Sequence, residues 1–361
     1  MFLRYIYDFF LLKRLISSFL LWWLFFSFLF LLAVFLDKLD TIMSYQTSVS
    51  TTFEYLIVQL PYWLWRSAPL AFLGSALATL HDVRRAGELL ALESLGIRPA
   101  RTYLPILMFA MLCFAAGELG VESSSSVFLR RAREVLEVKI KGREPYLNRV
   151  IENLVAKASS GRYFVFGELD LKTKTFSNFW MDEWDGSTHV REIFAKSGRY
   201  DQKSGSWTLK DVAERKYRGD NVDVSLKDAV NLDFPEAPED LVPSSWRLEE
   251  MTIKDLDDTR KVLESRGIAA RKFTVEYQAR LAWPLAFIVF GFVAIAVMQI
   301  LPATLFRGRI LLFGLTFVIG FVYWFLVGLG VTLANHGVLD PVHAAWGPHL
   351  GVLALMGLLM L

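Results

Sequence analysis

The stretch LISSFLLWWLFFSFLFLLAVFL, residues 15–36, contains no charged side chain. A bilayer core about 30 Å thick is crossed by roughly 20 apolar residues of α-helix, so this stretch is long enough to span a membrane. Three basic residues, Arg4, Lys13 and Arg14, precede it. Because a signal peptide has a shorter apolar core and ends at small residues, the pattern favours a span that is retained.

Five further apolar runs follow in the 361-residue chain. They cover about residues 52–80, 102–119, 281–301, 310–334 and 344–361. The run at 52–80 is the least uniformly apolar of the six, because Pro61, Arg66 and Pro69 lie inside it. The sequence therefore predicts a membrane α-helical fold with six transmembrane helices, three before and three after a polar insert.

The polar insert carries most of the charge. Residues 123–274 hold 27 of the 39 Lys and Arg and 26 of the 37 Asp and Glu, so this part is water-soluble and the rest is compatible with lipid. The formal net charge of +2 gives no indication of nucleic-acid binding. The single cysteine, Cys113, excludes an intramolecular disulfide.

Short runs with strand-like alternation dominate the insert. Examples are RYFVFGELDL (162–171) and SWTLKDVAERKYR (206–218), separated by turn signals such as DG and RGDN. Six or more strands without intervening helices predict an all-β, jelly-roll-like domain. Helical spacing at 127–140 and 252–267 predicts flanking helices, the second ending at Gly267. The predicted domains are therefore residues 1–122, 123–270 and 271–361.

Lys and Arg in the short connections predict the orientation of the spans. One face holds Arg4, Lys13, Arg14, Arg84, Arg85, Arg98, Arg101, Arg307 and Arg309. The short connections at the opposite face hold only Lys38. Because Lys and Arg are enriched on the cytoplasmic side, we expect both termini in the cytoplasm and the insert on the other side of the membrane.

The sequence lacks the motifs of an independent enzyme. No glycine-rich run ends in Gly-Lys-Ser/Thr, so no P-loop for ATP is present, and the five histidines are scattered. We therefore predict no catalytic residue, metal site or cofactor on this chain. The stretch HGVLD, with His336 and Asp340, resembles the His and Asp of membrane acyltransferases but is one residue short, so a polar loop is the simpler interpretation.

A short charged segment, RRAGELLALESLG (84–96), connects the second and third runs. At about 100° per residue, one arc of this helix mixes leucines with charges. The arc contains Arg85, Glu88, Leu89, Leu92 and Leu95. A helix lying on lipid would separate the two kinds of residue, so the mixture favours a groove in a partner protein. Leu90 points the opposite way and is expected to rest against the protein's own spans; a purely amphipathic connector is the alternative.

The segment APLAFLGSALATLHDVRRAGELLALESLGI (68–97) resembles the LptF/LptG permeases of lipopolysaccharide export, at the part that carries their cytoplasmic coupling helix. The matching residues are Pro69, Ala71, Glu88 and Gly96, while Gly87 replaces a usual serine. FAKSGRYDQKSGSWTLKD (194–211) and the helix ending in Arg280, Ala282 and Pro284 are also similar to the family. The order of these motifs, with three spans on each side of a β insert, points specifically to this family.

The resemblance implies a permease subunit of an ABC transporter in the inner membrane of a Gram-negative bacterium. A dimer of LptB-type ATPases, which would bind the ATP and Mg²⁺, would dock on the coupling helix through Arg84, Arg85, Glu88, Leu92 and Gly96. A second, homologous permease would complete a cavity for lipopolysaccharide. Periplasmic jelly-roll proteins similar to LptC and LptA would receive the lipid, by strand addition at an edge of the β domain.

Five residues are candidate substrate contacts under this resemblance: Lys38, Arg66, Arg280, Trp22 and Phe26. Lipopolysaccharide bears phosphates, which cations near the outer edge of the membrane would bind. Arg66 lies about 22 Å above the cytoplasmic end of its span at roughly 1.5 Å per residue, and snorkelling to the interface is its alternative role. The two aromatic residues are expected either to line the cavity or to face lipid.

Three other functions are compatible with the sequence. They are a permease for another lipid or a lipoprotein, a non-transporting membrane anchor for the β domain, and a membrane enzyme. Coupling of ATP hydrolysis to lipid release would distinguish a permease from an anchor. Both the F and the G paralogue fit the motifs.

Overall fold

A computed structural model describes residues 2–96, 99–142, 150–157, 162–185, 188–201, 205–218, 221–232, 248–265, 270–301 and 309–359. The chain forms two compact units. A helical unit comprises Met1–Arg133, Leu248–Asp257 and Arg271–Leu361, and a β unit comprises Glu134–Arg247 and Asp258–Ala270. The predicted helix cap Gly267 lies outside the described residues.

The described residues contain ten α-helices. They are α1 (Phe2–Ser44), α2 (Val49–Arg85), α3 (Glu88–Ser94), α4 (Leu104–Ala116), α5 (Glu122–Glu134), α6 (Ile253–Ser265), α7 (Arg271–Ala282), α8 (Leu285–Ile300), α9 (Arg309–Asn335) and α10 (Pro341–Leu359). Short 3₁₀ turns at Pro99–Tyr103 and Leu248–Glu250 precede α4 and α6. Short π-helical turns at Gly117–Val121 and Val135–Ile140 follow α4 and α5.

Four helical stretches in the described part of the chain are long and apolar enough to cross a membrane. They are Tyr7–Ser44, Arg101–Gly120, Ile310–Asn335 and Pro341–Leu359. The pair α7 and α8, bent by 49°, makes a fifth if it is counted as one span. The 37-residue α2 is not among them, so the sixth predicted span stays a prediction.

The helix α2 lies at the centre of the helical unit, which explains why it is less apolar than the others. Most of its second half is buried, including the polar residues Ser67, Ser75, Thr79 and His81. Its apolar residues join α1, α4, α8 and α9 in a single core cluster. A helix segment enclosed by other helices does not need a lipid-compatible surface. Two of its hydroxyls donate to carbonyls of the same helix, Ser75 Oγ to Phe72 at 2.8 Å and Ser67 Oγ to Leu64 at 3.2 Å.

Small residues allow these helices to approach closely. A Cβ atom added to Gly74 would lie 2.6 Å from the Trp22 ring of α1, and one added to Gly320 would lie 2.3 Å from Leu70. A Cβ atom at Gly117, at the end of the third span, would lie 2.7 Å from Pro284. Glycine at helix contacts is the usual device for tight packing in membranes.

Two helix breaks lie at this Gly117–Pro284 contact. The chain kinks after α4, where Gly120 has a φ of 116°. The bend between α7 and α8 falls at Trp283 and Pro284. Proline inside a helix removes a backbone donor and clashes with the preceding turn, so it is a physical cause for the second break.

The β unit contains one six-stranded antiparallel sheet. Its strands are β1 (Val150–Lys157), β2 (Arg162–Asp170), β3 (Thr175–Asp185), β4 (Thr188–Asp201), β5 (Ser206–Arg218) and β6 (Asn221–Leu232). They pair in sequence order, β1 to β6, as an open meander. The predicted all-β character is confirmed, but the described strands lack the crossed connections that define a jelly-roll.

One face of this sheet is a packed apolar core. It is formed by residues from all six strands, including Phe164, Phe166, Phe179, Ile193 and Trp207, which are almost completely buried. The other face is half-exposed. A row of cross-strand partners runs over it and consists of Val165, Trp180, Phe194, Ala213 and Leu226.

The contact at Gly117 gives a stability prediction. Gly117→Ala should destabilise the helical unit by about 1–3 kcal/mol, because Pro284 and the Trp65 ring leave no room for the added methyl group. The measurement is the midpoint of thermal unfolding in detergent. Gly351→Ala is the matched control, since its Cβ would meet no atom within 4 Å. Equal midpoints for the two variants would contradict the packing seen at Gly117.

Candidate functional site

The short helix α3 is separated from α2 by a left-handed glycine. The sequence predicts one helical segment over about residues 82–97, but α2 ends at Arg85 and Gly87 has a φ of 72°. The N–H groups of Ala86 and Gly87 close the end of α2 by donating to Asp82 and Arg84 carbonyls. Gly96, after α3, has the same φ of 72°, so both glycines occupy a conformation that other residues rarely adopt.

The leucines of α3 are not arranged as the helical pattern predicts. Leu90 is 72% exposed, so the prediction that it rests against the protein's own spans is wrong. Leu95 is 75% exposed, whereas Leu89 and Leu92 are half-buried. The bend at Gly87 rotates α3 relative to α2, which a projection of one continuous helix cannot anticipate. The surface open to a partner therefore includes the large side chains of Arg85, Leu90 and Leu95.

Glu88 is paired within the chain. Its Oε1 accepts a hydrogen bond from Arg14 Nη1 of α1 at 3.3 Å. Arg14 Nη2 lies 3.3 Å from Asp82 Oδ2 of α2. A second ion pair nearby joins Arg101 to Asp8 at 3.4 Å. These charges tie α1 to the end of α2, to α3 and to the turn before α4.

Arg84 caps the end of another helix. Its Nη1 donates to the carbonyls of Met298 and Leu301, at 2.8 and 2.9 Å. These carbonyls lie at the C-terminus of α8, where the last turn has no intrahelical donors and where a positive charge also interacts favourably with the helix dipole. Arg84 therefore connects the residues just before α3 to the fourth predicted span.

Arg280, a candidate substrate contact, is only 2% exposed. Its guanidinium donates to Glu276 Oε1 at 2.7 Å, Ser126 Oγ at 2.6 Å, the Leu248 carbonyl at 2.5 Å and the Met251 carbonyl. These partners come from α7, α5 and the turn before α6. The side chain therefore joins three segments of the helical unit. Because its guanidinium already donates to four acceptors in the chain, this arrangement does not favour a role in binding a lipid phosphate.

Arg66 is engaged with aromatic residues. Its guanidinium carbon lies 4.7 Å from the centre of the Trp283 ring, and its Nε donates to Tyr62 Oη at 3.2 Å. Trp283 adjoins Pro284 at the bend between α7 and α8. These contacts hold the guanidinium against aromatic rings, where a cation interacts favourably with the ring face.

The remaining candidate substrate contacts are located on α1. Lys38 lies inside this helix, which continues to Ser44, and it pairs with Asp37 at 2.6 Å. Phe26 is completely buried, and the Trp22 ring stacks on Phe313 of α9 with ring centres 4.3 Å apart. These two aromatic residues pack α1 against α9, so they would line a cavity only if the two helices separated.

The sheet contains a charged cluster that the sequence analysis did not identify. Glu214 of β5 is buried and accepts from Lys227 Nζ at 2.8 Å, while Arg191 Nε lies 2.7 Å from its Oε1. Burial by itself raises the pKa of the Glu214 carboxyl, but the Lys227 hydrogen bond and the charges of Arg191 and Lys216 outweigh it and lower the pKa. Alternation along one strand gives no signal for such a cluster, because its cations come from three strands.

The HGVLD stretch has a structural explanation. Asp340 accepts hydrogen bonds from the backbone N–H groups of Val342 and His343, at 2.9 and 3.4 Å, and so caps the start of α10. The bond from Val342 lowers the pKa of the Asp340 carboxyl. His336 Nδ1 lies 2.8 Å from the Thr332 carbonyl. Neither residue is arranged as an acyltransferase pair, which favours the interpretation as a polar loop.

The fold and these features define a class: a membrane protein of long apolar helices with an inserted antiparallel sheet and a short, partly exposed helix at one end of the bundle. A protein-family model described as "Lipopolysaccharide export system permease LptF/LptG" matches residues 10–361. The chain belongs to this family, so the resemblance seen in the motifs is confirmed, and it is a permease component of lipopolysaccharide export in the inner membrane. None of the curated proteins compared with the sequence matches it.

The environment of Arg280 gives a second prediction. Arg280→Met should destabilise the helical unit by about 3–5 kcal/mol, because it leaves the partly buried Glu276 carboxylate and two carbonyls without their donor. Thermal unfolding in detergent measures this loss. If that variant does not accumulate, Arg280→Lys, which keeps the charge, should give an intermediate stability.

The comparison variant is Arg66→Met, which removes a stacked side chain and should cost about 1 kcal/mol. An Arg280 variant that unfolds like the wild type but loses its bound lipid would show that Arg280 is a lipid contact after all.

Proposed function

We propose that this chain is the permease subunit of an ABC transporter that takes lipopolysaccharide from the inner membrane and passes it to a periplasmic bridge. ATP is hydrolysed on a partner ATPase, and a second, homologous permease completes the path. The observation that carries this proposal is the match of essentially the whole chain to the LptF/LptG family. The contacts of the described residues support three more specific parts of it.

The ATPase docks on α3. Leu90, on the seven-residue α3, and Leu95, directly after it, are large apolar side chains that are more than two-thirds exposed. Arg85 is exposed beside them. Apolar side chains with a neighbouring arginine are the composition of an interface core rather than of a solvated connector. The connections on this side of the bundle are also the ones rich in Lys and Arg, which supports a cytoplasmic location.

The β unit hands the lipid on by strand addition at β6. This 12-residue edge strand carries no proline, and Val222, Val224 and Leu226 are about half-exposed or more. Among the described strands β6 has a single neighbour, β5, and edge strands are templates for another strand. The opposite edge, β1, is shorter, with eight residues. The strand of a bridge protein similar to LptC or LptA would pair with β6 and extend the apolar face of the sheet.

The lipid phosphate is bound by Arg66, and the acyl chains enter between α1 and α9. Among the basic candidates, Arg66 lies against aromatic rings beside the bend between α7 and α8, with its guanidinium carbon 4.7 Å from the centre of the Trp283 ring. The ring pairs Trp22–Phe313 and Phe26–Phe317 are stacking and edge contacts between two predicted spans. Aromatic contacts are worth about 1 kcal/mol each, which an incoming lipid can replace with its own apolar contacts.

A permease for another lipid would share the ATPase and the spans but would differ in the cavity. A membrane anchor for the β unit would share the spans and the sheet but would not couple them to ATP. Affinity purification of the tagged protein from membranes in mild detergent, followed by mass spectrometry of proteins and lipids, distinguishes the three. We expect an ATPase subunit, a second permease of similar size and lipid A-bearing species; the chain alone with ordinary phospholipids would overturn the proposal.

Docking at α3 gives a third prediction. Leu90→Asp should lower retention of the ATPase about tenfold, because a charge replaces an apolar side chain at the centre of the docking surface. Quantitative co-purification measures the effect. Val338→Asp is the matched control, since Val338 is 67% exposed in the loop between α9 and α10. Equal retention in both variants would exclude α3 as the docking element.

The edge strand gives a fourth prediction. Val224→Lys should weaken capture of the periplasmic bridge protein about two- to fivefold, because an added charge on an exposed edge strand disfavours pairing with a further strand. Val150→Lys is the control on the opposite edge strand, where Val150 is 54% exposed. Site-specific cross-linking measures both. A larger effect at Val150 than at Val224 would assign the handover to β1.

A further inference from the structure

The core face of the sheet changes from apolar to charged side chains at one end. The last apolar row across the strands consists of Phe164, Met181 and Ile193, which are almost completely buried. Alternate residues of a strand lie on the same face, so the residues two positions along form the next row. This row of cross-strand partners consists of Arg162, Glu183, Arg191 and Lys216.

Glu214 of β5 takes the fourth place in the apolar row, as the partner of Ile193. Its side chain is 3% exposed, and three cations surround it. Lys227 Nζ lies 2.8 Å from its Oε2, while Arg191 Nε and Lys216 Nζ lie 2.7 and 3.5 Å from its Oε1. A buried carboxylate needs a partner, but one cation would neutralise it. The fold therefore does not require all three.

The cations around Glu214 exceed its charge by two. The neighbouring Arg162 and Glu183 pair with each other at 3.0 Å. Asp223, opposite Lys216 on β6, is exposed, and ion pairs with exposed groups contribute little. Like charges held close together repel, and that repulsion favours binding of an anion.

The two lysines are accessible to such an anion. Lys216 and Lys227 are half-exposed. An ammonium group has three N–H donors, and Glu214 accepts from only one of those on Lys227. A ligand from solvent can therefore accept from both lysines while Glu214 keeps them in place.

We propose that Arg191, Lys216 and Lys227 form a phosphate-binding site at the end of the apolar core of the sheet, with Glu214 as the residue that positions them. A phosphate monoester carries between about 1.5 and 2 negative charges at neutral pH, which matches the excess of positive charge. Its oxygens form charge-assisted hydrogen bonds with ammonium and guanidinium groups. The source of the phosphate as the transported lipid rests on the proposed function; inorganic phosphate has the same chemistry.

Site-specific photo-cross-linking in the full chain tests the inference. The photoreactive residue replaces Ser225, the exposed cross-strand partner of Glu214 on β6, and the probe is lipid A with two phosphates. Lys216→Gln and Lys227→Gln should each lower cross-linking about fivefold, because each removes a charge-assisted contact. Dephosphorylated lipid A should cross-link weakly and equally in all variants.

Lys210→Gln is the matched control. Lys210 is exposed on the same strand and follows the buried Leu209, so it lies on the opposite face of the sheet. Because Lys216 and Lys227 are half-exposed, their variants should unfold at nearly the wild-type midpoint. Lys227→Arg keeps the charge and should restore cross-linking.

Calorimetry with inorganic phosphate alone distinguishes the two sources. Cross-linking to lipid A that depends on the lysines would identify the ligand as a lipid phosphate. Binding of inorganic phosphate that depends on them, without such cross-linking, would identify free phosphate. Equal cross-linking in the Lys216, Lys227 and Lys210 variants, with equal binding of inorganic phosphate, would overturn the inference.

These outcomes are separate from those that test the proposed function. A chain that co-purifies with an ATPase and lipid A, but whose cross-linking does not depend on the two lysines, would overturn the phosphate site alone. A chain that binds inorganic phosphate through these lysines, but co-purifies with neither an ATPase nor lipid A, would overturn the proposed function and leave the site standing.

Discussion

The enclosure of α2 by the other helices is the constraint on which the helical unit depends. In lipid every backbone polar group must be satisfied within the protein, and polar side chains are tolerated only where other helices surround them. α2 buries Ser67, Ser75 and Thr79, and its apolar residues join those of α1, α8 and α9 in one core cluster. Its position also fixes where its C-terminus emerges, and therefore where α3 is presented.

Arginine side chains complete the unit where helices begin and end. At one end of the bundle, Arg84 satisfies two carbonyls at the end of α8, and Arg14 joins two carboxylates. Near the start of α8, Arg280 satisfies the carbonyls of Leu248 and Met251. Helix ends lack intrahelical partners, and a guanidinium with five donors reaches several acceptors at once. Arg84 is a predicted coupling residue and Arg280 a predicted substrate contact, and both predictions stay predictions beside the contacts that these side chains make within the chain.

Local patterns in the sequence anticipated most elements but few of the contacts between them. Apolar runs located four of the six predicted spans, or five if the bent pair α7 and α8 is one span, and alternation located the strands of the β unit. The strand order was not predictable, since a meander and a jelly-roll share the same alternation. The Arg14–Glu88 and Arg84–Met298 contacts join residues 74 and 214 positions apart, so no local signal reports them. Leu90 was misplaced because Gly87 changes the helix axis.

The sequential order of the strands has a consequence for the assembly of the chain during synthesis. Every strand pair in the sheet joins neighbours along the sequence, so the loops that must close are short and folding by local contacts is fast. The bundle is different, because α2 packs against α8 and Arg84 requires the Leu301 carbonyl, which is made more than two hundred residues later. Chains emerge from the ribosome N-terminus first. We therefore expect the sheet to fold before α1 to α4 can pack against α8 and α9, which are synthesised later.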